Sequence, residues 1–266
     1  MKLGIDILGN VAILKFDDKT RAGEKKRIAV GFLKEHKQVS TVLEKTGKFS
    51  GRLRTQSTRW LAGDNTKEAL YKENGCVFRL NVESCYFSPR LSSERKDIAN
   101  IVKKGEKVLV MFGGVAPFAI VISKIRKDAE VWSVELGREC SKYALQNVKR
   151  NKLEGRVHVV QGDVRRVIQK GGLNFKGNLV PLRFDRIVMA RPNLKDSFLD
   201  VAFPLIKKSG IIHYYGFYKE DEVDEMKELI IDESKKAGKK IKILRIVKAG
   251  DIGPYKFRYR ADITSQ

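Results

Sequence analysis

From Lys107 onward the chain alternates short apolar runs with amphipathic stretches. The runs are Val108–Phe112 (VLVMF), Val131–Leu136 (VWSVEL), Val157–Val160 (VHVV), Arg186–Ala190 (RIVMA) and Gly210–Phe217 (GIIHYYGF). Between two of them, over Glu139–Lys152, Cys140, Ala144 and Val148 recur at helical spacing, with lysines and asparagines on the opposite face. Strands separated by helices of this length predict βαβ units and a mostly parallel sheet. The last two apolar runs, Lys240–Val247 (KIKILRIV) and Tyr255–Ile263 (YKFRYRADI), are joined by a short link ending in Gly250-Asp251-Ile252-Gly253-Pro254. That predicts an antiparallel hairpin closing one edge of the sheet.

The first hundred residues follow another pattern. Ile5–Phe16 (IDILGNVAILKF) and Glu73–Val82 (ENGCVFRLNV) alternate like strands around glycine turns, and Arg27–Lys37 is a short helical stretch. Residues 1–85 are therefore expected to form a small α+β domain. Residues 86–266 are expected to form the larger α/β domain, entered through a helical connector over Phe87–Lys104. No repeat or low-complexity tract is visible.

Charge narrows the function. The 266 residues carry 54 Lys and Arg against 32 Asp and Glu, a net charge of +22. That excess implies a polyanionic partner, either nucleic acid or an anionic membrane surface. The longest uncharged apolar run, Val108–Ile122, is too short for a bilayer span and is broken by Gly113, Gly114 and Pro117. Asp6 and Asn10 interrupt the apolar residues at the start, so no signal peptide is expected. Cys76, Cys85 and Cys140 show no CxxC spacing, and His36, His158 and His213 are scattered. A disulfide or metal framework is not expected, and the pattern fits a reduced cytoplasmic protein.

The chemistry begins at Lys107–Phe118, KVLVMFGGVAPF. A loop at the carboxyl end of the first strand of a doubly wound sheet is where such folds bind ligands. Gly113 and Gly114 let the backbone approach a ligand, and Pro117 suits the first turn of a helix. The loop lacks the G-x-G-x-x-G of dinucleotide sites. The next strand ends in Glu135, about 20 residues on, where an acid can accept hydrogen bonds from ribose hydroxyls. Asp163 follows the third strand. Together these outline an S-adenosylmethionine pocket better than a nicotinamide one. Each acid has an alternative role as a helix cap.

At Phe87–Arg95 (FSPRLSSER), MFGGVAPF, GDVRR and IIHYYGF the sequence resembles the archaeal and eukaryotic tRNA methyltransferases that act on N1 of guanosine 37. The resemblance runs from about residue 5 to the end. It implies a class I methyltransferase domain preceded by a smaller tRNA-contacting domain, with S-adenosylmethionine as cofactor and the anticodon region of tRNA as partner. The family's further amino-terminal domain, which grips the tRNA elbow, has no expected counterpart here.

The resemblance also implies roles. Methylation at guanine N1 needs a base for its proton and a donor for the charge developing at O6. Glu94 is the expected base, Arg54 the O6 donor, and Arg90 and Tyr86 supports for the base and the flipped nucleotide. Arg95 would contact the methionine end of the cofactor, Phe112 its adenosine, Glu135 and Leu136 the ribose, and Asp163 and Val164 the adenine. Gly113, Gly114 and Ala190 would complete the cofactor pocket.

Departures are plain. Val110 replaces an acid and Ala116 a glycine of the family's D-M-F-A-G-V-G-P-F. The family's N-L-P reads Ala190-Arg191-Pro192 here, followed by Asn193, which is available as a substitute from a shifted loop. Three functions stay open: guanosine methyl transfer, aminocarboxypropyl transfer in wybutosine synthesis, and non-catalytic tRNA binding. Arg90 speaks against the second, because that sister group typically has a small residue there. Intact Glu94, Glu135 and Asp163 speak against the third.

Overall fold

A computed structural model describes residues 3–47, 49–169, 172–175, 178–180, 183–253 and 255–266. Met1 and Lys2 of the expected first domain, and Pro254 of the expected hairpin link, lie outside these residues.

The chain opens with β1 (Gly4–Leu8), β2 (Val11–Lys15), α1 (Ala22–Glu35), β3 (Thr41–Lys45) and β4 (Thr58–Gly63). These form one sheet in the order β1-β2-β3-β4. The outer pairs are antiparallel and β2–β3 is parallel, with α1 as the crossover. Helix α1 starts five residues before the expected stretch, because Gly23–Arg27 hold no apolar side chain to set a period; only Ala29 and Phe32 are buried. Strands β3 and β4 have no counterpart in the sequence pattern. Along β4 three exposed or half-buried residues precede buried Leu61 and Ala62, and a register shift at Val42/Leu43 breaks alternation.

A hairpin follows, β5 (Glu68–Glu73) and β6 (Cys76–Asn81), turning at Asn74-Gly75. A 3-10 turn over Pro89–Leu91 leads into α2 (Ser92–Ile101), within the expected connector. Then come β7 (Lys107–Met111), α3 (Pro117–Ile125), β8 (Glu130–Glu135), α4 (Arg138–Arg150), β9 (Val157–Gln161) and α5 (Val164–Val167). A small three-stranded meander, β10 (Ile168–Gln169), β11 (Gly172–Phe175) and β12 (Asn178–Val180), precedes β13 (Phe184–Met189) and α6 (Leu199–Ala202). The chain closes with β14 (Ile206–Lys219), α7 (Val223–Lys236), β15 (Ile241–Gly253) and β16 (Lys256–Ser265).

The large sheet has the order β15-β16-β14-β13-β7-β8-β9. Its five central and outer strands from β14 to β9 are parallel, and β16 and β15 add antiparallel pairs at one edge, as the sequence predicts. Strand β7 is apolar from Val108 to Met111 because both faces are covered there. Leu109 and Met111 join one core layer with Ile187 and Met226, while Val108 and Val110 join the other with Ile98 and Ile120. Among the described residues, no helix is long and apolar enough to cross a membrane.

Candidate active site

Strand β7 sits between β13 and β8, so the chain leaves it in one direction and returns on its other side. Ligands of open α/β sheets bind in the crevice that such a reversal leaves at the carboxyl ends. A cleft of about 990 Å³, its open mouth included, occupies that place. The turn after β7 is built for close approach. Phe112, Gly114 and Ala116 all have left-handed φ values, 63°, 56° and 66°, and the two non-glycine residues hold a conformation that costs energy unless the surroundings enforce it. The Gly113 amide donates to the Val134 carbonyl at 2.8 Å, and a Cβ at Gly113 would lie 2.1 Å from Ser133 Oγ. Glycine is required there by packing against β8. Pro117 then opens α3.

The two strand-end carboxylates reach the same cleft. Glu135 accepts the Gly114 amide at 2.8 Å through one oxygen and the Gly137 amide at 2.6 Å through the other. It thereby fixes the turn while each oxygen keeps a lone pair for a ligand. Burial raises its pKa, opposed by the amides of Gly137 and Gly114. Asp163 accepts the Arg165 amide at 2.9 Å and caps α5, so its alternative role as a cap is present too. Its second oxygen pairs with Arg52 at 3.1 Å. Burial alone would raise the Asp163 pKa, but the Arg165 amide and Arg52 together hold it low.

Arg52 belongs to the β3–β4 connection, so the small sheet reaches over the cofactor-side cleft. Leu53 and Arg54 of the same loop line it. Arg54 has a φ of 53°, and its guanidinium lies 3.6 Å from the Tyr86 ring centroid. Phe49 meets Tyr86 edge-on at 5.2 Å. Arg54 and Tyr86 also line a second, adjoining cleft, where Arg90 stands 3.4 Å from exposed Asp6.

The structure thus gathers Arg54, Tyr86, Phe112, Gly114, Glu135, Leu136, Asp163, Val164 and Ala190 around one cleft. Arg90 lines only the neighbouring one, and Gly113 lies beneath the turn. Arg95, expected at the methionine end of the cofactor, faces elsewhere. It is 1% exposed, forms a two-point pair with Glu73, and donates to the Ser88 carbonyl at 3.0 Å. Glu94 is buried behind the cleft wall: its Oε1 accepts from the Tyr215 hydroxyl at 2.6 Å and from Arg260. Its Oε2 has no partner among the described residues.

Behind Glu94 runs a buried polar chain that sequence reasoning did not find. Arg260 bridges Glu94 to Asp262, at 2.9 Å from Nε to Oδ1. His213 Nδ1 lies 2.5 Å from the same Asp262 oxygen, and its Nε2 lies 2.7 Å from Arg186 Nη1. Arginine donates only, so Nε2 accepts, the ring is neutral, and Nδ1–H donates to Asp262. Burial lowers the His213 pKa to about 4, against the pull of Asp262.

Ala190 lines the cleft where the resembling family has asparagine. Asn193 is exposed and does not line the cleft, so the substitution from a shifted loop does not occur. Arg191 turns inward instead, donating to the Tyr214 hydroxyl at 3.2 Å and to the carbonyls of Leu194 and Asp196. Tyr215 and Arg258 also line the cleft and had no assigned role. Tyr215 lay within the HYY motif, whereas Arg258 carried no local signal.

A sheet of this order, with its last two strands antiparallel and its ligand turn after the central strand, is the architecture of class I S-adenosylmethionine-dependent methyltransferases. Residues 69–244 match the TRM5/TYW2 methyltransferase domain, and residues 3–66 match the TYW2 N-terminal domain. The chain belongs to the TRM5/TYW2 methyltransferase family. It is 35% identical over 240 residues to the tRNA (guanine(37)-N(1))-methyltransferase Trm5b of Pyrococcus abyssi, covering 90% of this chain and 68% of that one. The crystal structure of that Trm5b superimposes with a TM-score of 0.84 at 31% identity, over 99% of this chain and 75% of the other. The tRNA (guanine(37)-N(1))/4-demethylwyosine(37)-methyltransferase Taw22 of Nanoarchaeum equitans is 33% identical, over 98% of this chain and 99% of its own. TYW2 of Pyrococcus horikoshii, solved in complex with MeSAdo, superimposes with a TM-score of 0.81 at 25% identity, covering 98% and 90%.

Proposed function

We propose that this protein is a cytoplasmic S-adenosylmethionine-dependent enzyme that methylates N1 of guanosine 37 in tRNA. The observation that carries this is the joining of two clefts at a common wall of Arg54 and Tyr86. One has the glycine turn and acids suited to an adenosine, and the other is lined by Arg90. The residues fit the cofactor, because Glu135 keeps lone pairs free while holding the turn. Glu135 and Leu136 would hold the ribose, Asp163 and Val164 the adenine, and Phe112, Gly114 and Ala190 the space between. When bound, S-adenosylmethionine supplies an electrophilic methyl group on sulfur.

The chain's own residues do the rest. Glu94, through its unpartnered Oε2, takes the guanine N1 proton. Tyr215 and Arg260 hold the other oxygen and so fix the carboxylate's orientation. Arg54, half-buried with its guanidinium 3.6 Å from the Tyr86 ring centroid, donates to guanine O6 as charge develops there. Arg90, from the neighbouring cleft, steadies the flipped nucleotide. Residues 1–85 form the tRNA-contacting part and residues 86–266 the catalytic part, with the Arg52–Asp163 pair joining them across the cleft.

One observation favours aminocarboxypropyl transfer as a second reading: Ala190 leaves no amide side chain beside the cofactor cleft. Purified protein incubated with unmodified tRNA and with cofactor labelled in either the methyl or the aminocarboxypropyl group decides between them. Methyl label in 1-methylguanosine after nuclease digestion is the expected result. Label only from the aminocarboxypropyl group would overturn it.

A further inference from the structure

Arg258 stands at the wall shared by the two clefts. It pairs across the sheet with Phe217, three residues beyond Tyr214, which is itself paired with the last residue of β13, Met189. That places it above the carboxyl ends of the parallel strands. Strands β16 and β8 lie on opposite sides of β7, so Arg258 and Glu135 mark opposite ends of the cleft.

Its surroundings are unusual for an arginine. The residue is 8% exposed, and its guanidinium carbon lies 5.2 Å from the Phe217 ring centroid. Among the described residues its side chain has no hydrogen bond or ion pair. Arginine is almost never buried unless paired, because removing a charge from water is costly. The other cations of the cleft are occupied or wet: Arg52 pairs with Asp163, Arg191 bonds to Tyr214 and two carbonyls, and Arg54 is half-buried on Tyr86. Arg258 is thus a largely buried cation with no counter-charge among the described residues, and its charged end opens onto the two clefts.

We propose that Arg258 receives the carboxylate at the amino-acid end of S-adenosylmethionine, an inference that rests on the cofactor reading above. With the adenosine held at Glu135 and Asp163, the opposite end of the same cleft, where Arg258 stands, would be left for the amino-acid end. Arg95, the residue expected there, is closed off by Glu73. A guanidinium presents a planar fork that matches a carboxylate in two-point geometry, and among the described residues no acid competes for that of Arg258.

The test is calorimetric binding of S-adenosylhomocysteine, which carries the carboxylate, and of methylthioadenosine, which lacks the whole amino-acid end. Arg258→Met, similar in volume, is expected to weaken S-adenosylhomocysteine by about 10-fold or more, the worth of a charged hydrogen bond. Its affinity for methylthioadenosine should stay nearly unchanged, and Arg258→Lys should recover part of the loss. Glu135→Ala, acting at the shared adenosine end, should weaken both ligands. Equal loss of both ligands, or loss of neither, in folded Arg258→Met protein would overturn the assignment. Failure of both ligands to bind the unaltered protein would overturn the cofactor reading and the role of Arg258 with it.

Discussion

Arg95 and Glu73 meet as a two-point ion pair, Nε to Oε1 and Nη2 to Oε2 at 2.5 Å each, with both side chains 2% exposed. Glu73 ends β5, and Arg95 sits in the first turns of α2 beside Glu94. The pair therefore locks the hairpin to the helix that carries the proposed base, and a Phe87 ring 4.9 Å from the guanidinium closes one side.

Removing one partner of a buried pair leaves a bare charge in the interior. Glu73→Gln is expected to lower unfolding stability by about 3–5 kcal/mol, read from urea denaturation. A loss below about 1 kcal/mol, the usual worth of a surface pair, would show that the pair does not hold α2 in place.

Glu94→Gln tests the proposed base. It keeps an oxygen for Tyr215 and Arg260 but cannot take a proton, and Arg260 retains Asp262 as counter-charge. Single-turnover methyl transfer should fall by about 10²–10⁴-fold, with partial recovery at high pH as guanine loses its proton unaided. A folded variant transferring at the original rate would remove Glu94 from that role.

Glu135→Ala should weaken cofactor binding by about 1.5–3 kcal/mol, the range for hydrogen bonds to charged groups. It also frees the amides of Gly114 and Gly137, so thermal stability should drop with it. Unchanged cofactor affinity in calorimetry would place the ribose elsewhere.

His213 makes stability depend on pH. Its folded pKa is lowered to about 4 from 6.5. At pH above 6.5 both folded and unfolded rings are neutral and nothing is lost. Below it the unfolded chain binds a proton that the folded chain refuses, so stability falls as pH drops from about 6.5 to about 4. The total is roughly 3 kcal/mol at 1.36 kcal/mol per unit. Urea midpoints measured across that window should show the fall, and His213→Gln should flatten it. Parallel profiles for the two proteins would mean that the His213 pKa is the same in the folded and unfolded chain.

The net charge of +22 makes a prediction about tRNA. Affinity should decline linearly on a log–log plot against salt, with a slope that reports several phosphate contacts. A flat plot would mean that the basic surface does not grip the backbone.

The chain's own pattern determined the parallel strands, because a strand covered on both faces is mainly apolar along its middle, as β7 is over Val108–Met111 and β8 over Val131–Val134 apart from Ser133. It also placed Gly114, Glu135 and Asp163 at one sheet edge, since residues that end successive parallel strands share that edge whatever the loops do. Strand β4 escaped because exposed Arg59 and Trp60 break its alternation. The destinations of the arginines were decided only by tertiary packing. Arg52 meets Asp163 across 111 residues and Arg260 meets Glu94 across 166, while Arg95 is sealed by Glu73 and Arg258 has no acid partner among the described residues. An arginine's neighbours in sequence set its backbone, but its charge is settled by whichever carboxylate, ring or empty space the folded chain brings within a few ångströms, and no local spacing encodes that.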